Sequence, residues 1–459
     1  MSGRVPEKDA LIEAEIVSLA DDGCGVAKPE GMVLFVPGAV PGDKALLRVE
    51  KVGKSCLYGK LEKILESAPE RIEPDCPYFP ACGGCSFRNI TYSAELRWKT
   101  QWVADHLRRI GGFDLRPEAA LASPEMFRCR NKAIYPAGKD ASGKVVFGFY
   151  RQKSHELIAC RDCLLQPAEF AKILEAAAFW ANGFKISVYD EKTGLGFLRA
   201  VYLRKGWVSG EILLTVVANG EKLPHAQEMV SLMSTHVPGV SGIVLNINEA
   251  RTNVVLGRES VRIWGRDTLC DTLAGVKVEL APEAFYQVNH DAAELLYAKA
   301  AEFAALTGDE TVLDLYCGAG TIGLSMAAKA KRLIGAEIVP EAVENAKRNA
   351  EENGVTNAEF LCADAGKAAA ELQSRGLRPD VVILDPPRKG CSAETLDAVA
   401  SMGPSRIVMV ACDTATLARD LKILAGKGYC LKKAQPVDLF PRTANVECAA
   451  LMTKEKAAS

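Results

Sequence analysis

Apolar and polar positions change their rhythm along the chain. Over residues 1–67, short apolar runs at Ala14–Leu19, Met32–Val36 and Ala45–Val49 are separated by Asp21-Asp22-Gly23, Pro37-Gly38 and Pro41-Gly42-Asp43. Turn formers between short runs predict a small β-barrel. A linker rich in Pro, Glu and Arg follows at Pro69–Pro74, then a cysteine cluster, then a helical period from Tyr92 to Ile110 that stops at Gly111-Gly112. Between Leu121 and Cys270, strand-like stretches at Val145–Tyr150, Glu211–Val217 and Gly242–Ile247 surround one helical segment, Pro167–Asn182.

After helix Asp291–Leu306 the rhythm becomes strand–helix. An apolar strand runs into Asp314, helix Thr321–Lys329 follows, and strand Arg332–Ala336 leads to a helix at Pro340. Strands Glu359–Cys362 and Val381–Leu384 continue the series. Such alternation predicts an α/β, doubly wound sheet. Three parts are expected: residues 1–67, a central α/β domain at 68–275, and the doubly wound domain at 276–459. The helix at 92–110 is expected to pack on the last of them. Lys454–Ser459 reads as a frayed tail.

Composition narrows the setting. With 48% hydrophobic and 25% charged residues, the chain can bury cores in water. No apolar run approaches the ~18 residues of a membrane span. The amino end carries Arg4, Glu7, Lys8, Asp9, Glu13 and Glu15 rather than an apolar signal segment. A cytoplasmic monomer with no membrane partner is expected, and its 15 cysteines should be reduced thiols. Net charge is only −2, yet Arg88–Arg161 holds 14 Lys/Arg against 7 Asp/Glu, a local footprint suited to RNA. Within it, Phe127-Arg128-Cys129-Arg130-Asn131-Lys132 interleaves an aromatic with cations, a pattern for phosphate contact and base stacking.

The doubly wound part carries acids at successive strand ends: Asp314, Glu337, Asp364 and Asp385. Gly318 and Gly320 make the turn after the first strand, and Gly323 completes a nominal dinucleotide spacing. Carboxylates at these places would repel a pyrophosphate and suit a sulfonium, which favours S-adenosyl-L-methionine. This half resembles the class I methyltransferases. Asp385-Pro386-Pro387 is followed by Arg388, where amino-nitrogen methyltransferases have a stacking aromatic, and the turn lacks the cysteine of cytosine-C5 RNA enzymes.

A later strand ends on Cys412, with a helix starting within three residues. A helix start favours a thiolate. Carbon 5 of uracil becomes nucleophilic only when something adds to carbon 6, and a thiolate is the natural adding group. Glu447, opening the last strand, is the candidate base for the carbon-5 proton.

Ala411-Cys412-Asp413-Thr414, Asp314-Leu315-Tyr316-Cys317-Gly318, Asp385-Pro386-Pro387-Arg388, Phe285-Tyr286-Gln287-Val288-Asn289 and Phe440–Glu447 together resemble the RNA uracil-C5-methyltransferase family, bacterial ribosomal branch. The amino-terminal part is similar to the TRAM domain, an RNA-binding barrel, through Gly23–Ala27 and Val33–Gly38. The resemblance implies Cys412 as nucleophile and Glu447 as proton acceptor. It implies that Gln287, Tyr316, Glu337 and Asp385 contact the methyl donor, with Asp364 a further candidate. It implies 5-methyluridine formation in 23S rRNA. A transfer RNA T-loop uridine is the alternative, and a non-catalytic iron–sulfur RNA-binding protein a more remote one. Two motifs depart from the family pattern: Ser-Cys-Asn-Pro is usual where this chain has Ala411-Cys412-Asp413-Thr414, and His is usual at Asn445.

Cys76, Cys82 and Cys85, with Gly83-Gly84 between the last two, form a run to which Cys160 and Cys163 can add a ligand. Four thiolates suit either zinc or an iron–sulfur cluster. The family resemblance implies a [4Fe-4S] cluster on Cys76, Cys82, Cys85 and Cys163.

Overall fold

A computed structural model describes residues 6–252 and 254–455. Arg4 of the charged amino end and Lys456–Ser459 of the expected tail lie outside the described residues. The amino-terminal strands Leu11–Leu19, Gly25–Ala27, Val33–Val36, Lys44–Val52 and Cys56–Glu66 close into a five-stranded barrel. Ile16, Leu34, Val36, Leu47, Val49 and Leu57 fill it. The barrel follows the expected runs and adds two strands. Gly25–Ala27 is too short to register as a run, and Cys56–Glu66 is interrupted by water-facing Tyr58, Lys60, Glu62, Lys63 and Glu66. Asp43 pins the barrel to the linker: fully buried, it accepts from Val40 N at 2.7 Å, Ala68 N at 3.0 Å and Arg71 Nε at 2.9 Å.

The central sheet has seven strands in the order Glu259–Gly265, Val240–Ile247, Ile212–Ala218, Leu198–Lys205, Lys132–Lys139, Val145–Tyr150 and Leu157–Ala159. Helices Ala168–Gly183 and Ala226–His236 contribute to its core. The second helix escapes a sequence reading because it buries only Met229 and Met233.

The carboxy-terminal sheet also has seven strands, ordered Ala358–Cys362, Arg332–Glu337, Thr311–Leu315, Val381–Leu384, Arg406–Ala411, Glu447–Lys454 and Tyr429–Val437. The first five run parallel and the closing pair is antiparallel. Two apolar layers enclose the sheet, which is why these strands read as continuous apolar runs. This is a methyltransferase fold behind a barrel, with strand order reversing between Thr311–Leu315 and Val381–Leu384.

Helix Tyr92–His106, extended by a π turn over Leu107–Gly111, binds the parts together. Its Val103 and Leu107 enter a core layer of the carboxy-terminal sheet, as expected. Its Ala94 and Trp102 pack with Leu19 and Val40 of the barrel side, where Trp102 Nε1 donates to Leu19 O at 2.9 Å. Buried Lys99 Nζ donates to Glu95 Oε1 at 2.8 Å and Asp438 Oδ1 at 2.7 Å. Among the described residues no helix is long and apolar enough to cross a membrane.

Candidate active site and cysteine pocket

Cys412 stands one residue beyond strand Arg406–Ala411, at the carboxyl end of the sheet. Asp413 caps the following helix, Thr414–Ala425, accepting from Thr416 N at 2.8 Å. The antiparallel register sets Ala411 opposite Cys448, so Cys412 and Glu447 emerge side by side. The neighbouring strand pairs Leu384 with Met409 and delivers Asp385 to the same end. A thiol, a buried carboxyl and a second carboxyl are thus gathered at the ends of three adjacent strands.

The electrostatics are those of a closed acidic site. Burial, then the Asp385 charge, pushes Glu447 up to about 8, with Arg388 opposing. Burial raises Asp385 to about 7. Burial and then Asp385 raise Asp314 to about 8, against a hydrogen bond from Gly323 N. The Cys412 thiol is also pushed up, by burial first and Glu447 second, although Arg388 pulls the other way. This corrects the expectation of a favoured thiolate: in the free protein, burial and a neighbouring carboxyl outweigh the helix start.

The donor candidates line the crevice where strand order reverses, the usual ligand place in such sheets. Tyr316 follows strand Thr311–Leu315 with φ 65°, its hydroxyl 3.4 Å from Thr395 Oγ1. Gly318 and Gly320 have φ 54° and 81°, which side chains resist. A Cβ at Gly323 would meet Asp314 Oδ2 at 2.7 Å, so only glycine lets the helix approach that strand. Glu337 accepts from Gly318 N at 3.2 Å, Ile338 N at 2.8 Å and Val339 N at 2.9 Å, joining the glycine turn to the next strand end. Ile338 beside it is 61% exposed. Gln287 is buried ahead of helix His290–Ala304; its carbonyl accepts from Asn131 Nδ2 at 2.9 Å, and its side chain bonds Tyr297. Asp364 caps helix Ala365–Ser374, accepting from Gly366 N at 3.1 Å and Lys367 N at 3.3 Å. Both bonds fall on the same oxygen, Oδ1.

A cavity of about 110 Å³ opens beside Cys412 and is walled by Asp21, Trp102, His106, Asp413, Thr414, Ala444 and Asn445. Asp21, Trp102 and His106 were not legible in the sequence. They lie hundreds of residues from Cys412, and nothing local marks them.

A second cavity of about 110 Å³ is lined by Cys76, Cys82, Cys85, Cys160 and Cys163, with Arg88 and Arg130. All four expected ligands meet there, together with the extra Cys160. Gly83 N donates to Tyr150 O at 3.1 Å, and Gly84 N lies 3.4 Å from Cys82 Sγ. A hydrogen bond from Cys160 draws the pKa of Cys163 down, while burial raises Cys82 and Cys85. Among the described residues no group of three or more His, Cys, Asp or Glu converges closely enough to hold a single metal ion. In the basic stretch, Arg128 is paired with Asp162 at 2.5 Å and Lys132 is half-buried, with desolvation lowering it to about 8. Phe127 stays at the surface, so of that motif it keeps the freest face.

A family model described as tRNA (Uracil-5-)-methyltransferase matches residues 266–455. A Clostridium tetani protein named an uncharacterized RNA methyltransferase is 41% identical, over 97% of each chain. One of the same description from Halalkalibacterium halodurans is also 41% identical, over 97% of each. Among solved structures, a Pyrococcus abyssi tRNA (uracil-54, C5)-methyltransferase in complex with S-adenosyl-L-homocysteine aligns with TM-score 0.79 and 28% identity, covering 96% of this chain and 100% of that one. With a strand-end crevice for the donor, and with relatives of this kind along its length, the chain belongs to the RNA uracil-C5-methyltransferase family and is an S-adenosylmethionine-dependent RNA methyltransferase.

Proposed function

We propose that the protein methylates carbon 5 of a uridine in 23S rRNA through a covalent Cys412 adduct. The observation that carries this reading is the adjacency of Cys412 and Glu447 across the Ala411–Cys448 register, with Asp385 beside them. The ionised Cys412 sulfur, its proton given up to solvent, bonds carbon 6, and the electron pair moves to carbon 5 as an enolate. Carbon 5 takes the methyl group as its bond to the donor sulfur breaks, which would leave a neutral thioether, and still holds its proton. Glu447 accepts that proton, the pair returns to the ring, and the carbon 6–sulfur bond breaks. The uracil must leave its stack for this, since stacking hides both faces of its 5,6 bond.

The crevice residues fit the methyl donor. Asp314 Oδ1 is buried and unpartnered among the described residues, and Asp385 and Glu337 add carboxyls near a place suited to a sulfonium. Bound there, the donor supplies an electrophilic methyl. Gln287, Tyr316 and Glu337 would hold it, with Ile338 offering an apolar face to its base.

For the cysteine pocket we propose a [4Fe-4S] cluster on Cys76, Cys82, Cys85 and Cys163. Support comes from thiols that surround a cavity rather than meet at a point, and from the family resemblance, which selects Cys163 over Cys160. Methyl transfer has no redox step, so the thiols' task is to shape the RNA-facing region. Residues 1–67 and 68–275 would hold RNA, and 276–459 with helix Tyr92–His106 would carry the chemistry.

A transfer RNA T-loop uridine is the second reading, favoured by the likeness to a tRNA uracil-54 enzyme. Labelled methyl transfer to ribosomal RNA fragments and to T-loop minihelices, followed by mass mapping, decides between them. Ribosomal methylation is expected; labelling of the minihelix alone would establish the second reading.

A further inference from the structure

The cavity beside Cys412 contains a link that the reaction scheme does not use. His106, the last residue of helix Tyr92–His106, places Nδ1 2.7 Å from Thr414 Oγ1. Its Nε2 lies 3.4 Å from Asp21 Oδ2, on the turn that follows the first barrel strand. A carboxylate only accepts, so the ring proton belongs on Nε2, and neutral Nδ1 then accepts the threonine hydroxyl. The His106 contact holds the Asp21 carboxyl below its ordinary range. Three separate segments therefore meet at one imidazole, two residues from the sulfur.

Thr414 is the first residue of its helix, and its backbone fixes the turn that aims Cys412. At such a position proline presets φ at no hydrogen-bond cost. Threonine leaves that dihedral free, so the restraint must come from elsewhere. We propose that His106 and Thr414, backed by Asp21, are positioning residues that lock the nucleophile turn and couple it to the barrel. The proposal rests on Cys412 as nucleophile.

The test uses RNA carrying 5-fluorouridine, whose carbon 5 has no proton for Glu447 to remove, so the methylated Cys412 adduct is trapped and counted. His106→Ala should slow adduct formation about tenfold, the scale of a misaimed reacting group, without changing RNA affinity in filter binding. Thr414→Val should match it, the double variant should be no slower than either, and Thr414→Ser should keep the wild-type rate. Asp413 already has φ −122° and ψ 106°, the extended backbone that a following proline requires. Thr414→Pro placed in His106→Ala should therefore restore most of the rate, a rescue that mere loss of fold would not give. Wild-type rates in His106→Ala and Thr414→Val, a loss confined to RNA affinity, or failure of the proline to rescue would each overturn the proposal. An adduct surviving in Cys412→Ala would instead overturn the nucleophile reading, and is scored with His106 intact.

Discussion

Replacing Glu447 with Gln probes the release step where the geometry is most exposed. Glu447 is 5% exposed and pushed up to about 8. A base works only when ionised, so a raised value moves the ascending limb of its profile upward. The ionised share is about one-eleventh at pH 7, half at pH 8 and ten-elevenths at pH 9, so release should quicken about tenfold from pH 7 to 9. Glutamine keeps the shape and cannot take the proton, and positioned bases contribute about 10²–10⁴-fold. Methyl transfer precedes that step, so Glu447→Gln should accumulate a methyl-labelled protein–RNA band on a denaturing gel. The Cys412 thiol governs the band's appearance and Glu447 its disappearance, which separates the two ionisations in a quench-flow series. Cys412→Ala and the double variant should give no band. Normal turnover in Glu447→Gln, or release in the wild type that ignores pH, would refute the assignment.

Donor binding should release protons near pH 7, because a sulfonium beside Asp385 and Asp314, raised to about 7 and 8, favours their ionised forms. Calorimetry in buffers of different ionisation enthalpy should show this for S-adenosylmethionine and less for the uncharged S-adenosylhomocysteine; equal proton counts would refute it. Lys99→Met leaves Asp438 buried without its cation and Glu95 with Arg442 alone, and should cost ~3–5 kcal/mol in urea unfolding, against which a loss under ~1 kcal/mol would argue. Protein purified without oxygen should be brown with labile sulfide, and Cys82→Ser should lose colour and RNA affinity more than donor affinity. Colourless protein with stoichiometric zinc would exclude the cluster.

The carboxy-terminal half was legible because its strands are buried on both faces and announce themselves as apolar runs, with the candidate groups Asp314, Glu337, Asp385 and Cys412 at or just past their carboxyl ends. Glu447 was legible from its place before an apolar strand. Cys56–Glu66 and Ala226–His236 were not, because water-facing charge or a two-residue contact face hides their period. His106 and Thr414 are 308 positions apart, and no local pattern encodes that meeting. The acidity of Cys412 was misjudged for a related reason. A helix start is visible in sequence, while the burial and the Glu447 carboxyl that override it arrive from other strands.

The Lys99–Asp438 contact closes a span of 339 residues. At about 5–20 residues per second, helix Tyr92–His106 leaves the ribosome roughly 20–70 s before Asp438, the residue that completes its ion pair. The barrel is already made by then and can cover Trp102, while Val103, Leu107 and Lys99 wait with no sheet to enter. Glu447 arrives on the very last strand, a few residues after Asp438. Docking of helix Tyr92–His106 and arrival of the proposed base are therefore one late event, and a nascent chain stalled before that strand leaves Val103 and Leu107 uncovered.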